Sequence, residues 1–546
     1  MRIDCAREAP EAVTADVAIV GSGAAGQAAA RRLLARGCNI VLIESGGLDY
    51  EEAAADLNRG DIIGQDYHSL EHSRLRFFGG TTAIWGGRCA ELAAMDYERR
   101  QWVPHSGWPF GLSEIQGYLR EARTLLGVEQ VDGTRLPLQG LLQQLSREEL
   151  AVRWWSFDPL FDRFSIERGA DLDADPRCTI LVHATAREVM LAHDIGSVER
   201  LEVRTAGGRR IDVRARHYLL AAGGIENPRI LLASNSVMSH GVGNAYDLVG
   251  RYFMEHPHAR GGRIVGRAEW RWLTAFAKAK INGVLVSPAL SPSESLQQRE
   301  GLLNSALTVA VRPAETGRHA LAKQAYLHVK HRTAPTRRGR SMWKATRKLV
   351  RGYTGLAGPL HPWLMKRMGK LDLALVVRAE QAPNPDSRVK LNGSKDSTGM
   401  PRVALDWRLS AIDVDSVAGL VSALNRESQR LGLGAVEPAT WLGNPEKRWV
   451  SDDLISAHPI AGFHHMGTTR MASDPRRGVT DGWGRVHGVS NLHIAGSSLF
   501  PTAGWANPTL TILALALRTA DRVAEEIRSA ARHPGISLSG ADGTTG

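Results

Sequence analysis

Two adjacent histidines, His464 and His465, stand before Met466-Gly467-Thr468-Thr469-Arg470-Met471, and an amide follows in Gly504-Trp505-Ala506-Asn507-Pro508-Thr509. A neutral imidazole can accept a proton at neutral pH, and an amide N–H can hold the oxygen that loses it. Together they suit removal of a proton from a hydroxyl group. Such chemistry needs an acceptor for the second hydrogen, and the other end of the chain offers a place for one.

There, the β-branched run Asp16-Val17-Ala18-Ile19-Val20 leads into Gly21-Ser22-Gly23-Ala24-Ala25-Gly26. A helical stretch from Gln27 to Arg36 follows, then Asn39-Ile40-Val41-Leu42-Ile43, ending on Glu44 and Ser45. Strand, tight turn, helix, strand and acid form the order that binds a dinucleotide. Gly21 permits the turn, Gly23 lets a diphosphate approach the backbone beside Ala25, and Gly26 lets helix and strand pack closely. The helix N-terminus presents unpaired N–H donors to the anion. Glu44 falls where a ribose hydroxyl needs an acceptor and disfavours a 2′-phosphate, so FAD or NAD fits better than NADP.

A second glycine-rich loop, Arg76-Phe77-Phe78-Gly79-Gly80-Thr81-Thr82-Ala83-Ile84-Trp85-Gly86-Gly87, lies downstream. Leu219-Leu220-Ala221-Ala222-Gly223-Gly224 is a strand ending in small residues, and Asn491-Leu492-His493-Ile494-Ala495-Gly496-Ser497-Ser498 repeats that form. With these motifs the chain resembles the glucose-methanol-choline (GMC) family of FAD-dependent oxidoreductases over nearly all of residues 14 to 530, most weakly between about 260 and 372. In motif form it looks most like the sugar-oxidising, pyranose-oxidase-like branch. The resemblance implies an α/β fold: a discontinuous Rossmann-like FAD-binding domain and an α+β substrate domain on a mostly antiparallel sheet. Cofactor-contacting positions are then Gly21, Ser22, Gly23, Ala25, Gly26, Glu44, Ser45, Gly79, Gly80, Thr81, Thr82, Trp85, Gly86, Ala222, Gly223, Gly496, Ser497, Pro508 and Thr509.

The family's active-site histidine precedes the glycine of a Gly-Thr pair by three residues, which selects His464 over His465, and its second position, His or Asn, matches Asn507. His464 then takes the hydroxyl proton, Asn507 holds the same oxygen, and the carbinol hydrogen passes as hydride to flavin N5. His256 and His258 read as structural residues at a domain crossing. Asn507-Pro508-Thr509 reads as N-cap, first-turn proline and helix start, a positive helix end for the flavin pyrimidine. Some relatives bond the flavin covalently through a histidine near the Trp85 position; Ile84 cannot do so, and non-covalent FAD is expected. The substrate expected is a saccharide or glycoside, with a dehydrogenase favoured over an oxidase and quinone or oxygen left open as acceptor. The alternatives are a redox-silent lyase of the same fold and oxidation of a non-sugar alcohol. Trp154, Trp155, Trp270 and Trp272 fall in regions expected to face a sugar.

A chain of 546 residues, 43% hydrophobic and 23% charged, is globular and too long for one ordinary core. The FAD domain is expected from 14–105, 177–260 and 453–530, a connecting and lid segment from 106–176, the substrate domain from 261–452 and a flexible tail from 531–546. The cysteines at 5, 38, 89 and 178 have no metal spacing, so reduced thiols and no metal site are expected. No leader or membrane span is read, which points to the cytoplasm. Between Arg318 and Lys370 lie fourteen Lys or Arg and no Asp or Glu, more than the whole net charge of +11. Residues 340–351 within this basic insertion suit an amphipathic helix for peripheral contact with the inner face of a membrane, or else a solvated lid or a subunit contact. Nucleic acid is not an expected partner.

Overall fold

The computed structural model describes residues 1–129, 136, 140–160, 162–313, 336, 338–342, 345–346, 349, 360–369 and 371–532. Its first sheet runs in the order Arg2–Asp4, Cys178–Val182, Ile40–Ile43, Ala12–Val20, Arg210–Leu220, Val198–Arg204, Thr185–Leu191, and Leu492–Ile494 also pairs with Arg210–Leu220. The pairings that surround Ala12–Val20 are parallel. Apolar β-branched residues such as Val17, Ile19, Ile40 and Val41 are buried on both faces, as a helix-covered parallel sheet requires. Strands from three distant parts of the chain therefore meet in one layer. The helices Ala24–Ala35 and Thr509–Arg532 pack on each other and join the same hydrophobic core.

The second sheet is antiparallel and runs Ala435–Pro438, His258–Val265, Asp372–Arg378, Ala306–Arg312, Val284–Pro292, Leu150–Phe157, Arg88–Cys89, with Ala279–Ile281 pairing to Val284–Pro292. Helix Ala411–Arg430 buries Val414, Val417, Leu420 and Leu424 against it. Leu150–Phe157 belongs to this sheet, although it lies within 106–176, the span expected as a connecting and lid segment. All eight of its residues pair with Leu285 to Pro292, so the backbone groups on that edge have partners in the sheet. A small third sheet joins Gly60–Ile62, Pro401–Asp406 and Arg388–Lys395.

Much of the basic insertion lies outside the described residues. Within it residues 338–342, 345, 346 and 349 are helical, and Leu360–Arg367 forms a helix. Met342, Leu349, Leu360, Leu364 and Met368 are exposed there, while Trp363 packs edge-on against Trp270. The tail beyond Arg532 also lies outside the described residues. Among those described, no helix is long and apolar enough to cross a membrane.

Candidate active site

His464 sits in a bent loop that leaves it little choice of orientation. Phe463 takes a left-handed φ of 61°, strained for an aromatic residue, and its ring packs between His68 and His458. A Cβ on Gly462 would fall 2.7 Å from His464 Nδ1, so only glycine leaves room for the ring. The His464 N–H donates to Glu255 Oε1 at 2.8 Å, and the His256 N–H donates to Glu255 Oε2 at 2.9 Å. The Tyr67 hydroxyl donates to the same carboxylate. One buried glutamate thus ties together the backbones that carry two histidines. Burial pushes the Glu255 carboxyl up to about 7, against the hydrogen bonds that lower it.

The ring contacts then fix where the proton sits. His256 Nε2 lies 2.8 Å from the Gly504 carbonyl oxygen, which can only accept, so Nε2 carries the hydrogen. In a neutral ring His256 Nδ1 is then an acceptor, and it lies 2.8 Å from His464 Nδ1, which must donate. The lone pair of His464 is left on Nε2, 3.1 Å from the Asn507 amide nitrogen. Burial holds His464 well below the ordinary imidazole range, with the neighbouring His256, His258, His465 and Arg88 adding to the effect. Burial lowers His256 as well. Both rings stay neutral, as this assignment needs. Gly504 is itself held: its N–H donates to Glu380 Oε1 at 3.1 Å, and Glu380 forms a buried ion pair with Arg100.

His465 turns away. Its Nε2 lies 3.0 Å from the Tyr67 hydroxyl, its ring lies among Tyr67 and Phe253, and burial drops it to about 3. His256, expected to be structural, instead makes direct ring contact with His464 across 208 residues of sequence. The fold brings the start of His258–Val265 and the 461–466 segment together as neighbouring β-bridges, Met254 to Met466 and Pro257 to Ala461.

A cluster of buried donors includes Trp505, two residues before Asn507. Trp155 and Trp505 rings are 5.8 Å apart, and the Arg378 guanidinium sits 5.3 Å from the Trp155 ring. Trp155 Nε1, Trp505 Nε1, Arg378 Nε and Arg378 Nη1 are buried without a hydrogen-bond partner. Trp272, by contrast, is core, with its N–H on the Leu433 carbonyl, and Trp270 is half exposed. Trp154 lines a separate cavity of about 760 Å³ whose walls include Leu92, Arg153, Glu294 and Trp505. His464 and Asn507 are not among its lining residues, whereas Trp505, two residues before Asn507, is.

A narrower groove of about 210 Å³ gathers most of the glycine motifs. Its walls hold Gly21, Ser22, Gly23, Ala25, Glu44, Ser45, Gly80, Thr81, Thr82, Ala222, Gly223, Gly496 and Ser497. Gly26, Gly79, Trp85, Gly86, Pro508 and Thr509 do not line it. Gly26 packs against the Gly21 carbonyl, where a Cβ would come within 1.9 Å, and Gly79 N–H donates to Ser22 O at 3.2 Å. Trp85 packs partly buried on the core, and Thr509 begins the long helix, whose Ile512 reaches the groove. A Cβ on Gly23 would meet nothing within 4 Å, so the space over the turn is open to a ligand, as a diphosphate would need. Glu44 accepts from Ser22 N–H and, at 2.6 Å, from Ser22 Oγ, holding the acid in the groove wall. Arg76, Asn58 and Glu226 also line the groove. Arg76 stands inside the second glycine loop and could have been weighed as a cationic wall; its 2.7 Å pair with Glu226 comes only with the fold. The groove, with open turn, acidic end and cationic flank, fits FAD.

A sequence profile described as GMC oxidoreductase matches residues 383–516, a span that contains His464 and Asn507. Paromamine 6'-oxidase of Streptomyces fradiae is 26% identical over 94% of this chain and 92% of its own length. The fructose dehydrogenase large subunit of Gluconobacter japonicus is 27% identical over 58% of this chain and 48% of its own. Among solved structures, a fungal aryl-alcohol oxidase shares the fold at a TM-score of 0.55 and 15% identity, over 94% of this chain and 99% of that one.

Proposed function

Because the chain belongs to the GMC oxidoreductases, we propose that it oxidises one hydroxyl of a saccharide or glycoside to a carbonyl, with His464 as base and Asn507 as the anchor of the reacting oxygen. The observation that carries this reading is the hydrogen-bonded run from Gly504 O through His256 to His464, which leaves a neutral, outward lone pair on Nε2. A substrate hydroxyl entering between His464 and Asn507 donates to Nε2 and accepts from the amide. As the proton moves to Nε2, the imidazolium becomes the counter-ion of the forming oxyanion, and Asn507 keeps that oxygen in place. FAD, when bound in the groove, supplies the acceptor for the carbinol hydride.

Two features support a sugar. Trp155, Trp505 and Arg378 hold buried donors without a partner and no acceptor, which suits the oxygens of a polyhydroxyl ligand. The similar proteins named for paromamine and fructose act on carbohydrate-type compounds by those names. The FAD is held without a covalent bond in this reading, since no histidine occurs from Gly79 to Gly87. Acid precipitation should release the whole flavin into the supernatant; flavin retained in the pellet would contradict it. The reading includes a dehydrogenase that passes electrons to a quinone-type acceptor at a membrane surface. Its support is the exposed apolar set Met342, Leu349, Leu360, Leu364 and Met368 within a cationic segment.

The substrate test is anaerobic bleaching of the flavin by a panel of sugars, aminoglycosides and simple alcohols, followed by reoxidation with oxygen or a quinone. Bleaching by saccharides and faster reoxidation by quinone are expected. Bleaching only by simple alcohols would overturn the substrate class, and faster reoxidation by oxygen would make the protein an oxidase.

A further inference from the structure

Away from the cofactor groove, three titratable side chains from three elements converge. His217 lies on Arg210–Leu220, His493 on Leu492–Ile494 and Glu526 on the helix Thr509–Arg532. His493 pairs across the sheet with Leu219, two residues from His217, so both imidazoles stand on the same face, beneath the helix. Glu526 Oε2 lies 3.7 Å from His217 Nδ1 and 3.5 Å from His493 Nε2. His217 Nδ1, both ring nitrogens of His493 and Glu526 Oε2 are buried and lack a hydrogen-bond partner. His493 is fully buried.

These distances are long for charge-assisted hydrogen bonds, which run at roughly 2.7–2.9 Å. They are near the separation of two ligands on one ion: tetrahedral bonds of about 2.0–2.1 Å place ligand atoms about 3.4 Å apart. All three ligand atoms lie within 4.8 Å of one another. We propose that His217, His493 and Glu526 form a binding site for a divalent transition ion of the zinc class, which clamps the long C-terminal helix to the parallel sheet.

Two imidazoles and one carboxylate are the donor set that zinc takes in sites with three protein ligands. The side chains of His217 and Glu526 retain 13% and 15% exposure, so water can reach the ion as a fourth ligand. Arg522 Nε donates to Glu526 Oε1 at 2.8 Å, which orients the carboxylate and leaves Oε2 toward the histidines. Glu526 is seventeen residues along the helix from Thr509, about 26 Å at 1.5 Å per residue, so the ion acts on structure and takes no part in alcohol oxidation.

The test uses the flavin-loaded full chain, dialysed against chelator and titrated calorimetrically with zinc chloride, with metal content measured after desalting. One zinc per chain and a zinc-dependent rise in melting temperature are expected. His217→Asn and Glu526→Gln should each weaken binding at least tenfold and remove the rise while keeping the flavin spectrum, which reports a folded protein. His493→Ala should do the same if it retains flavin. No saturable binding in the wild type, or binding unchanged in His217→Asn and Glu526→Gln, would overturn the site.

Discussion

A general base must be neutral, aimed and reachable, and each condition on His464 traces to a particular neighbour. Neutrality comes from burial and from the other histidines and Arg88 around it. Because protonation is disfavoured, the base is already available at and above neutral pH, and the acid limb of the flavin-reduction rate should fall well below the ordinary imidazole pKa. A pH profile of single-turnover reduction with its acid limb near 6.5 or above would contradict this. Aim comes from His256, a positioning residue that acts through His464. His256→Phe leaves His464 Nδ1 without its acceptor, frees the other tautomer, and should lower the reduction rate by about tenfold or more with little change in KM. His256→Gln keeps an acceptor oxygen and should restore part of that loss. Equal rates in wild type and His256→Phe would leave the ring contact without a catalytic role. Residue type and family motif pointed to His464 and Asn507 as a pair, and the fold sets the two side chains 3.1 Å apart. The part played by His256 was not legible in the sequence, because its contact spans 208 residues and depends on two loops meeting as β-bridges.

At the scale of elements, glycines decide what fits. A methyl at Gly462 would press on the His464 ring at 2.7 Å, while no residue of the cofactor groove is touched. Gly462→Ala should therefore lower flavin reduction while FAD content, measured from the absorbance ratio, stays at the wild-type level. Gly26→Val should act in the opposite order, since the helix Ala24–Ala35 cannot pack on the Gly21 carbonyl, and the protein should be recovered with little flavin. Full flavin in Gly26→Val would contradict the packing role. Ala12–Val20, Ala24–Ala35 and Ile40–Ile43 were legible because a local order of strand, turn and helix carries its own signal. The antiparallel sheet was implied by family resemblance, but the place of Leu150–Phe157 in it was not read. Its strand partner lies more than a hundred residues away, and its Trp154-Trp155 pair has no clean alternation.

Across the whole molecule, one consequence of the design is a stability cost tied to buried acids. Glu255 has its carboxyl pKa raised to about 7 in the folded protein, above the ordinary 4.5. Its contribution to stability is therefore fully present below about pH 4.5 and is lost as pH rises through 7. In Glu255→Gln that titration is absent, so the melting temperature of the variant relative to wild type should rise between pH 4.5 and 7.5. A constant difference across that range would show that Glu255 does not titrate there. The carboxylate earns its place by joining Tyr67, His256 and His464, which come from the loop after Gly60–Ile62, the segment leading into His258–Val265 and the C-terminal loop.

The most direct test of the account is the rate of anaerobic flavin reduction in a single turnover, with a saturating saccharide that bleaches the wild type, measured in wild type and in His464→Ala of equal FAD content. Loss of a general base of this kind should slow reduction by about 10²–10⁴-fold. A rate within a few-fold of wild type would remove His464 as the base and, with it, the mechanism built on the Gly504, His256 and His464 contacts.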